Sequence, residues 1–178
     1  MFKTFNFGAA ALVALTTPAL AQGIELPTRQ TPIPETTDGV PHIQIGIEAV
    51  PELSDEMVRR VEAVEGIEIH PTIVSLPGAL GFMISEDVEL ARPEAIVRGR
   101  EFAHIHPDGS LHASLSPELA AQAVETGWAV MHPWADEREN WDGFVMIFTP
   151  TNADELEVVL DLVEQSFAFV TGQVPEAF

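Results

Sequence analysis

Apolar residues return at helical spacing in two stretches of this chain. Leu156, Val159, Leu160, Val163, Phe167 and Val170 recur every three or four positions, a stripe that faces a core from one side of a helix. Asn152, with Glu155 three residues on, supplies a capping-box start, and Gly172 supplies the stop. Met57, Val61 and Val64 form a shorter stripe in a helix expected over Ser54–Glu65, with Ser54 as its cap and Gly66 as its end. A third helix is marked by its punctuation: Ser116 as cap, Pro117 in the first turn and Gly127 at the close.

Between the helices the period changes to two or vanishes. Ile67–His70 alternates and is cut by Pro71, and the Pro77-Gly78 turn divides Thr72–Leu76 from Ala79–Ile84. Glu101–Leu115 reads as a hairpin around Asp108-Gly109. Gly143–Thr149 is a continuous apolar run, expected as a central strand covered on both faces. Three helices and about five strands, joined by hairpins rather than strict βαβ repeats, predict an α+β fold. The expected architecture is a small, mostly antiparallel sheet with a central histidine-bearing hairpin, packed by the three helices.

The first fifty residues follow neither period. Lys3 precedes the apolar run Gly8–Leu15, and Ala19-Leu20-Ala21 has the small-x-small form of a cleavage site. Residues 1–21 are therefore expected to be a secretory signal peptide, with export to a bacterial periplasm. The apolar run is too short to span a bilayer. Residues 22–50 form a Pro/Thr-rich linker and domain edge expected to run extended, and 51–178 form one domain.

Composition removes several classes of chemistry. The chain has no cysteine, which excludes disulfides, thiolate metal sites and a cysteine nucleophile. A formal net charge of −20 argues against nucleic acid and anionic membrane surfaces as partners, since both need a basic face. There is no Gly-rich phosphate loop, G-x-S-x-G, H-E-x-x-H or dinucleotide fingerprint, so no nucleotide cofactor is expected.

The chemistry concentrates in Arg100–Pro133, which holds His104, His106, His112 and His132. His104 and His106 alternate with Ala103 and Ile105, which puts both imidazoles on one face with Cα atoms about 6.6 Å apart. A two-residue Asp108-Gly109 turn would oppose Ile105 to His112 and turn His112 away. A three-residue loop with a bulge would pair His106 with His112 and align Ile105 with Leu111 and Ala113. Each apolar side chain kept buried is worth about 1.5–3 kcal/mol, so the bulged register is expected, with His104, His106 and His112 sharing a face.

Three imidazoles on one face can hold zinc with an open fourth position. Two with a carboxylate suit iron(II), although Glu101 is out of phase with the histidines and Asp142 is the freer choice. The same cluster without metal can act as acid, base and anion stabiliser for a hydroxylated or enolic substrate, or it can be a structural polar face. His132 lies among Trp128, Trp134 and Trp141, aromatic groups of the kind that wall small-molecule pockets. His42 and His70 are read as structural or exposed.

At these residues the chain resembles a family. Arg100-Glu101-Phe102-Ala103-His104-Ile105-His106, Ser110-Leu111-His112, Gly127-Trp128 and His132-Pro133 are similar to the luciferase domain of the fungal bioluminescence enzymes and their bacterial relatives. The tail Phe148-Thr149-Pro150-Thr151-Asn152, the helix start Asp154–Val159, and Pro71–Gly78 upstream agree with it. The resemblance runs from Pro51 to Gly172. It implies an oxygen-using site for a polyphenol-like or pyrone-like compound, with no metal or organic cofactor assigned in the fungal enzymes. The hairpin loop is shorter here, and a cleavable leader stands where the fungal enzymes carry a membrane anchor.

The expected function is an exported protein that binds a small molecule, with oxygenase-like action on a hydroxylated compound. His104, His106, His112 and His132 are its catalytic candidates, and Arg100, Glu101, Trp128 and Trp134 its substrate-binding candidates. The alternative is a non-catalytic periplasmic module that binds a ligand or a metal, zinc or iron, on His104, His106 and His112.

Overall fold

The computed structural model describes residues 24–175 and 178, so the expected signal peptide lies outside the described residues. The architecture is α+β. Six antiparallel strands form one sheet: β1 (Ile67–Pro71), β2 (Leu80–Ile84), β3 (Glu101–Ile105), β4 (Leu111–Ser114), β5 (Ala129–Met131) and β6 (Phe144–Ile147), in the order β1-β2-β3-β4-β6-β5. Three helices accompany it: α1 (Pro51–Glu62), α2 (Pro117–Glu125) and α3 (Ala153–Thr171).

Local chemistry accounts for most boundaries. The Asn152 side chain accepts from Glu155 N at 3.0 Å, and α3 ends where Gly172 enters the left-handed region at φ 72°. The Ser116 hydroxyl accepts from Leu119 N at 3.2 Å with Pro117 in the first turn of α2. The start of α1 differs from expectation. Pro51 begins the helix one turn before Ser54, because its locked φ and missing N–H suit the first helical position, and no side chain caps it.

Two strand assignments change. Residues 72–76 form no strand, with bends at 73–75, and β5, too short and flanked by Trp128 and His132 to show a period, completes the sheet. The run at Gly143–Thr149 supplies β6, buried on both faces, although it lies next to the edge strand rather than at the centre.

The core lies between the sheet and α1 and α3. Met57 and Val61 of α1 and Val159, Leu162, Val163 and Val170 of α3 are fully buried against Phe82, Ile84, Leu111 and Ala113. One irregularity decides the opposite face. Phe82 pairs with Ala103 but Met83 pairs with Glu101, so Phe102 is an extra residue bulged out of β3. Phe102 turns to the helices, with its ring 5.8 Å from that of Phe167.

The segment 24–50 contains no helix and packs on the domain. Arg29 is buried and donates to the Thr149 carbonyl at 2.9 Å and to Glu155 at 3.1 Å. Gln44 both donates to the Thr149 hydroxyl at 2.7 Å and accepts from Thr149 N at 3.1 Å. A bridge between Thr36 and Gln44 closes a loop whose tip, Val40-Pro41-His42, lies over the sheet face away from the helices.

Candidate functional site

The three hairpin histidines share a face, but not through the expected pairing. His104 stands opposite His112 and Ile105 opposite Leu111, a shift of two residues from a His106–His112 pair. His106 N donates to the Ser110 carbonyl at 2.8 Å and Gly109 N to the His106 carbonyl at 3.0 Å, which leaves Pro107-Asp108-Gly109 as a three-residue loop. Gly109 takes φ 85°, a conformation glycine adopts without strain. A two-residue shift keeps the parity of side chains, so the shared face survives while the partner changes.

His132 follows β5 and reaches the same place, its backbone N–H donating to the Phe144 carbonyl at 3.0 Å. The fifth member is His42, from the loop over the sheet. It is 4% exposed, so of the two expectations for it, structural or exposed, exposure does not hold. Its Nδ1 lies 3.3 Å from His112 Nε2, and its ring stacks on that of His112 at 5.4 Å. Nothing in its sequence surroundings indicated this, because the contact spans seventy residues.

Together His42, His104, His106, His112 and His132 line a cavity of about 320 Å³. Val40, Pro41, Val74, Leu76, Val97, Trp134 and Phe144 form its apolar walls, with Ser75 among them. The size and mixture fit a site for a small organic molecule.

The cluster is polarised from behind. His104 Nδ1 lies 2.9 Å from Glu101 Oε1, Thr72 Oγ1 donates to the same oxygen at 2.7 Å, and Ile73 N donates to the other at 2.8 Å. Strict alternation would have put Glu101 on the helix face. The bulge at Phe102 adds one residue and brings Glu101 into phase with His104. Asp142, the carboxylate favoured on sequence, is exposed. Gly81, opposite His104, leaves room for the carboxylate: a Cβ there would stand 2.7 Å from Glu101 Oε2.

Burial sets the protonation of the cluster. It pushes His106 down to about 4, helped by repulsion from His104 and opposed by Asp108. His132 also falls to about 4, through burial and then repulsion from His42, His104 and Arg138. His112 is driven well below the usual histidine range by burial and its four imidazole neighbours, and His42 is lowered by burial. For Glu101, burial alone would raise the pKa, but hydrogen bonds from His104, Ile73 and Thr72 outweigh it and hold the carboxyl low. Burial thus favours the neutral form of His42, His106, His112 and His132, and Glu101 stands behind the cluster as a carboxylate.

A continuous hydrogen-bond path follows: Glu101 to His104, then His104 Nε2 to His112 Nδ1 at 3.1 Å, then His112 Nε2 to His42 Nδ1 at 3.3 Å. His106 stands beside it, with Ser110 Oγ and Ser75 Oγ each 3.0 Å from one of its ring nitrogens.

Of the other sequence candidates, Arg100 and Trp128 fall outside the cavity. The Arg100 guanidinium donates to the carbonyls of Ile84, Ser85 and Val88, which ties it to the turn after β2. Trp128 is buried under Arg29, with its indole N–H donating to the Pro27 carbonyl at 2.6 Å. Trp134 does line the cavity, its ring 5.0 Å from that of His132. His70 is exposed beside Glu68.

Comparison with known proteins agrees with the motif. The luciferase domain family matches residues 99–166, which contain β3, β4, α2, β5, β6 and most of α3. The chain is similar to the luciferase of Armillaria mellea, 26% identical over 173 residues, covering 83% of this chain and 62% of that protein. It is 32% identical to the luciferase of Armillaria gallica over 80 residues, 41% of this chain and 29% of that one. The luciferase of Neonothopanus nambi is 26% identical over 141 residues, 70% of this chain and 51% of its own length. The chain thus spans less than two thirds of each of these relatives. No solved structure matches it.

Proposed function

We propose that this luciferase-like chain binds a small hydroxylated compound in the histidine cavity and acts on it in an oxygenase-like reaction. The observation that carries this reading is the convergence of five imidazoles on one cavity whose remaining walls are apolar apart from Ser75. Neutral imidazoles accept hydrogen bonds from hydroxyl groups and donate them to oxygen anions, so they orient an enol or phenol and stabilise the electron-rich anion left when it loses its proton to solvent. Such an anion is the form of a phenolic or enolic compound that reacts with dioxygen. The similarity to proteins named luciferases supports a reaction of that class.

The test is thermal stabilisation by a panel of hydroxylated aromatic and pyrone compounds, followed by oxygen uptake with those that bind. The expected result is uptake with at least one compound. His106→Ala should lower its rate about 100-fold, the usual weight of a positioned acid–base group, and leave the melting temperature within a few degrees. Binding without oxygen uptake would sink the enzymatic reading.

A second reading, capture of a ligand or metal without turnover, is favoured by a separate observation. Bases held at about 4, as His106 and His132 are, take protons poorly at neutral pH, whereas they ligate well. In either reading the proposed place of action is the periplasm, on the strength of the leader at residues 1–21.

A further inference from the structure

The five histidines form two overlapping groups of three, His104 with His106 and His112, and His42 with His112 and His132. Within each group the donor nitrogens lie within 4.8 Å of one another. His112 belongs to both, presenting Nδ1 to the first and Nε2 to the second.

We propose that His104, His106 and His112 hold one divalent first-row transition ion of the zinc type, with its open coordination position toward the cavity. This rests on the reading of that cavity as the functional site.

Three observations on the first group support it. The 2.9 Å contact to Glu101 places a His104 proton on Nδ1 and turns Nε2 toward His112 Nδ1, the partner an ion would replace; this is the carboxylate–histidine arrangement that stands behind metal ligands. His104 Nε2 and His112 Nδ1 are 3.1 Å apart, and two nitrogens bound at about 2.1 Å to a tetrahedral ion are separated by about 3.4 Å. A slight opening of the pair therefore admits the ion. Ser110 Oγ gives its one proton to Asp108 at 2.7 Å and so accepts from His106 Nδ1, which leaves His106 Nε2, facing only the Ser75 hydroxyl, as the nitrogen available to an ion.

The burial of Glu101 also points to a cation. Its side chain is 0% exposed, and among the described residues no arginine pairs with it. Buried charges are ordinarily paired or placed near a metal. An ion one imidazole away balances this one.

The second group lacks these features. His132 Nδ1 accepts the Trp134 N–H at 3.0 Å, which commits that lone pair and puts the ring proton on Nε2. No carboxylate among the described residues hydrogen-bonds to His42 or His132. Because all the ligands are neutral, the ion keeps its full charge and favours an anionic oxygen, hydroxide or an ionised hydroxyl of the bound compound, as its next donor.

The experiment titrates the full chain, stripped with a chelator, with cobalt(II) and follows the visible bands, with zinc(II) as competitor. One equivalent should bind with the intense absorption of a tetrahedral site and be displaced by zinc. His104→Ala should weaken binding at least about 100-fold, and Glu101→Gln about 10–100-fold, the range for partners that orient a ligand. His132→Ala should leave cobalt affinity within a few-fold. Thermal melts verify folding of each variant, and Glu101→Gln, which keeps the side-chain volume, carries the test if an alanine variant fails to fold.

No uptake by folded wild-type protein would overturn the proposal. So would loss in His132→Ala with retention in His104→Ala, which would move the ion to the other group. A hydroxylated compound that binds stripped protein when cobalt does not would sink the metal inference alone. Cobalt uptake with no compound bound by either form would sink the cavity reading instead.

Discussion

Among single residues, the ionisable groups outside the cavity show how burial and hydrogen bonding compete. For Glu155, burial would raise the pKa, but bonds from Thr31 and Thr151 and the charge of Arg29 outweigh it and hold the carboxyl below its usual 4.5. A depressed folded value means stability present in full above the unfolded value and lost as pH falls through the folded one. Acid unfolding of the wild-type protein should therefore draw on this group below about pH 4.5. Glu155→Gln should destabilise the protein at pH 7 by about 2 kcal/mol, since it leaves Arg29 without its counter-charge. It should also flatten the fall in stability at acid pH. Urea melts at pH 7 and pH 3 check this; an equal loss at both would show the carboxylate charge to be irrelevant. Glu101 belongs to the same class of residue, but its position depends on Gly81, where any Cβ would enter the space of its carboxylate.

Among elements, the loop 36–44 and the β3–β4 hairpin make the site jointly, and both are fastened at Thr149. Gln44 grips Thr149 through two hydrogen bonds, while the Thr149 hydroxyl donates to the Asp108 carbonyl at 2.7 Å in the hairpin loop. Gln44→Ala should release the loop tip that carries Val40, Pro41 and His42 and leave the buried Thr149 N–H unpaired, at about 1–3 kcal/mol. The expected signature is faster hydrogen exchange at residues 36–44 and about tenfold weaker binding of whichever hydroxylated compound stabilises the wild-type protein. Unaltered binding with faster exchange would show that the loop does not wall the site. The hairpin itself was legible in part. Alternation and the value of burying Leu111 identified the histidine face, because burial depends only on parity. The pairing partner depends on the loop conformation, where Gly109 at φ 85° selects a register two residues away.

At the scale of the molecule, the proposed leader bears on where the protein works, and the sheet bears on what it does. If residues 1–21 act as a leader, cell fractionation should recover the protein in the periplasmic fraction. Mass spectrometry should give a mature N-terminus at Gln22; an intact Met1 in the cytoplasmic fraction would refute export. No helix among the described residues is long and apolar enough to cross a membrane. The sequence by itself determined the fold class, the three helices with most of their caps, and the common face of His104, His106 and His112. Each of these follows from local periodicity, turn chemistry or parity, which act over a few residues. Only the tertiary structure decided that Glu101 joins that face, that His42 crosses from residue 42 to meet His112, and that Arg100 and Trp128 turn to structural contacts. The physical reason is range: a bulge is specified by how two strands accommodate each other, and a contact seventy residues apart by how the whole chain packs, and neither leaves a period in the sequence.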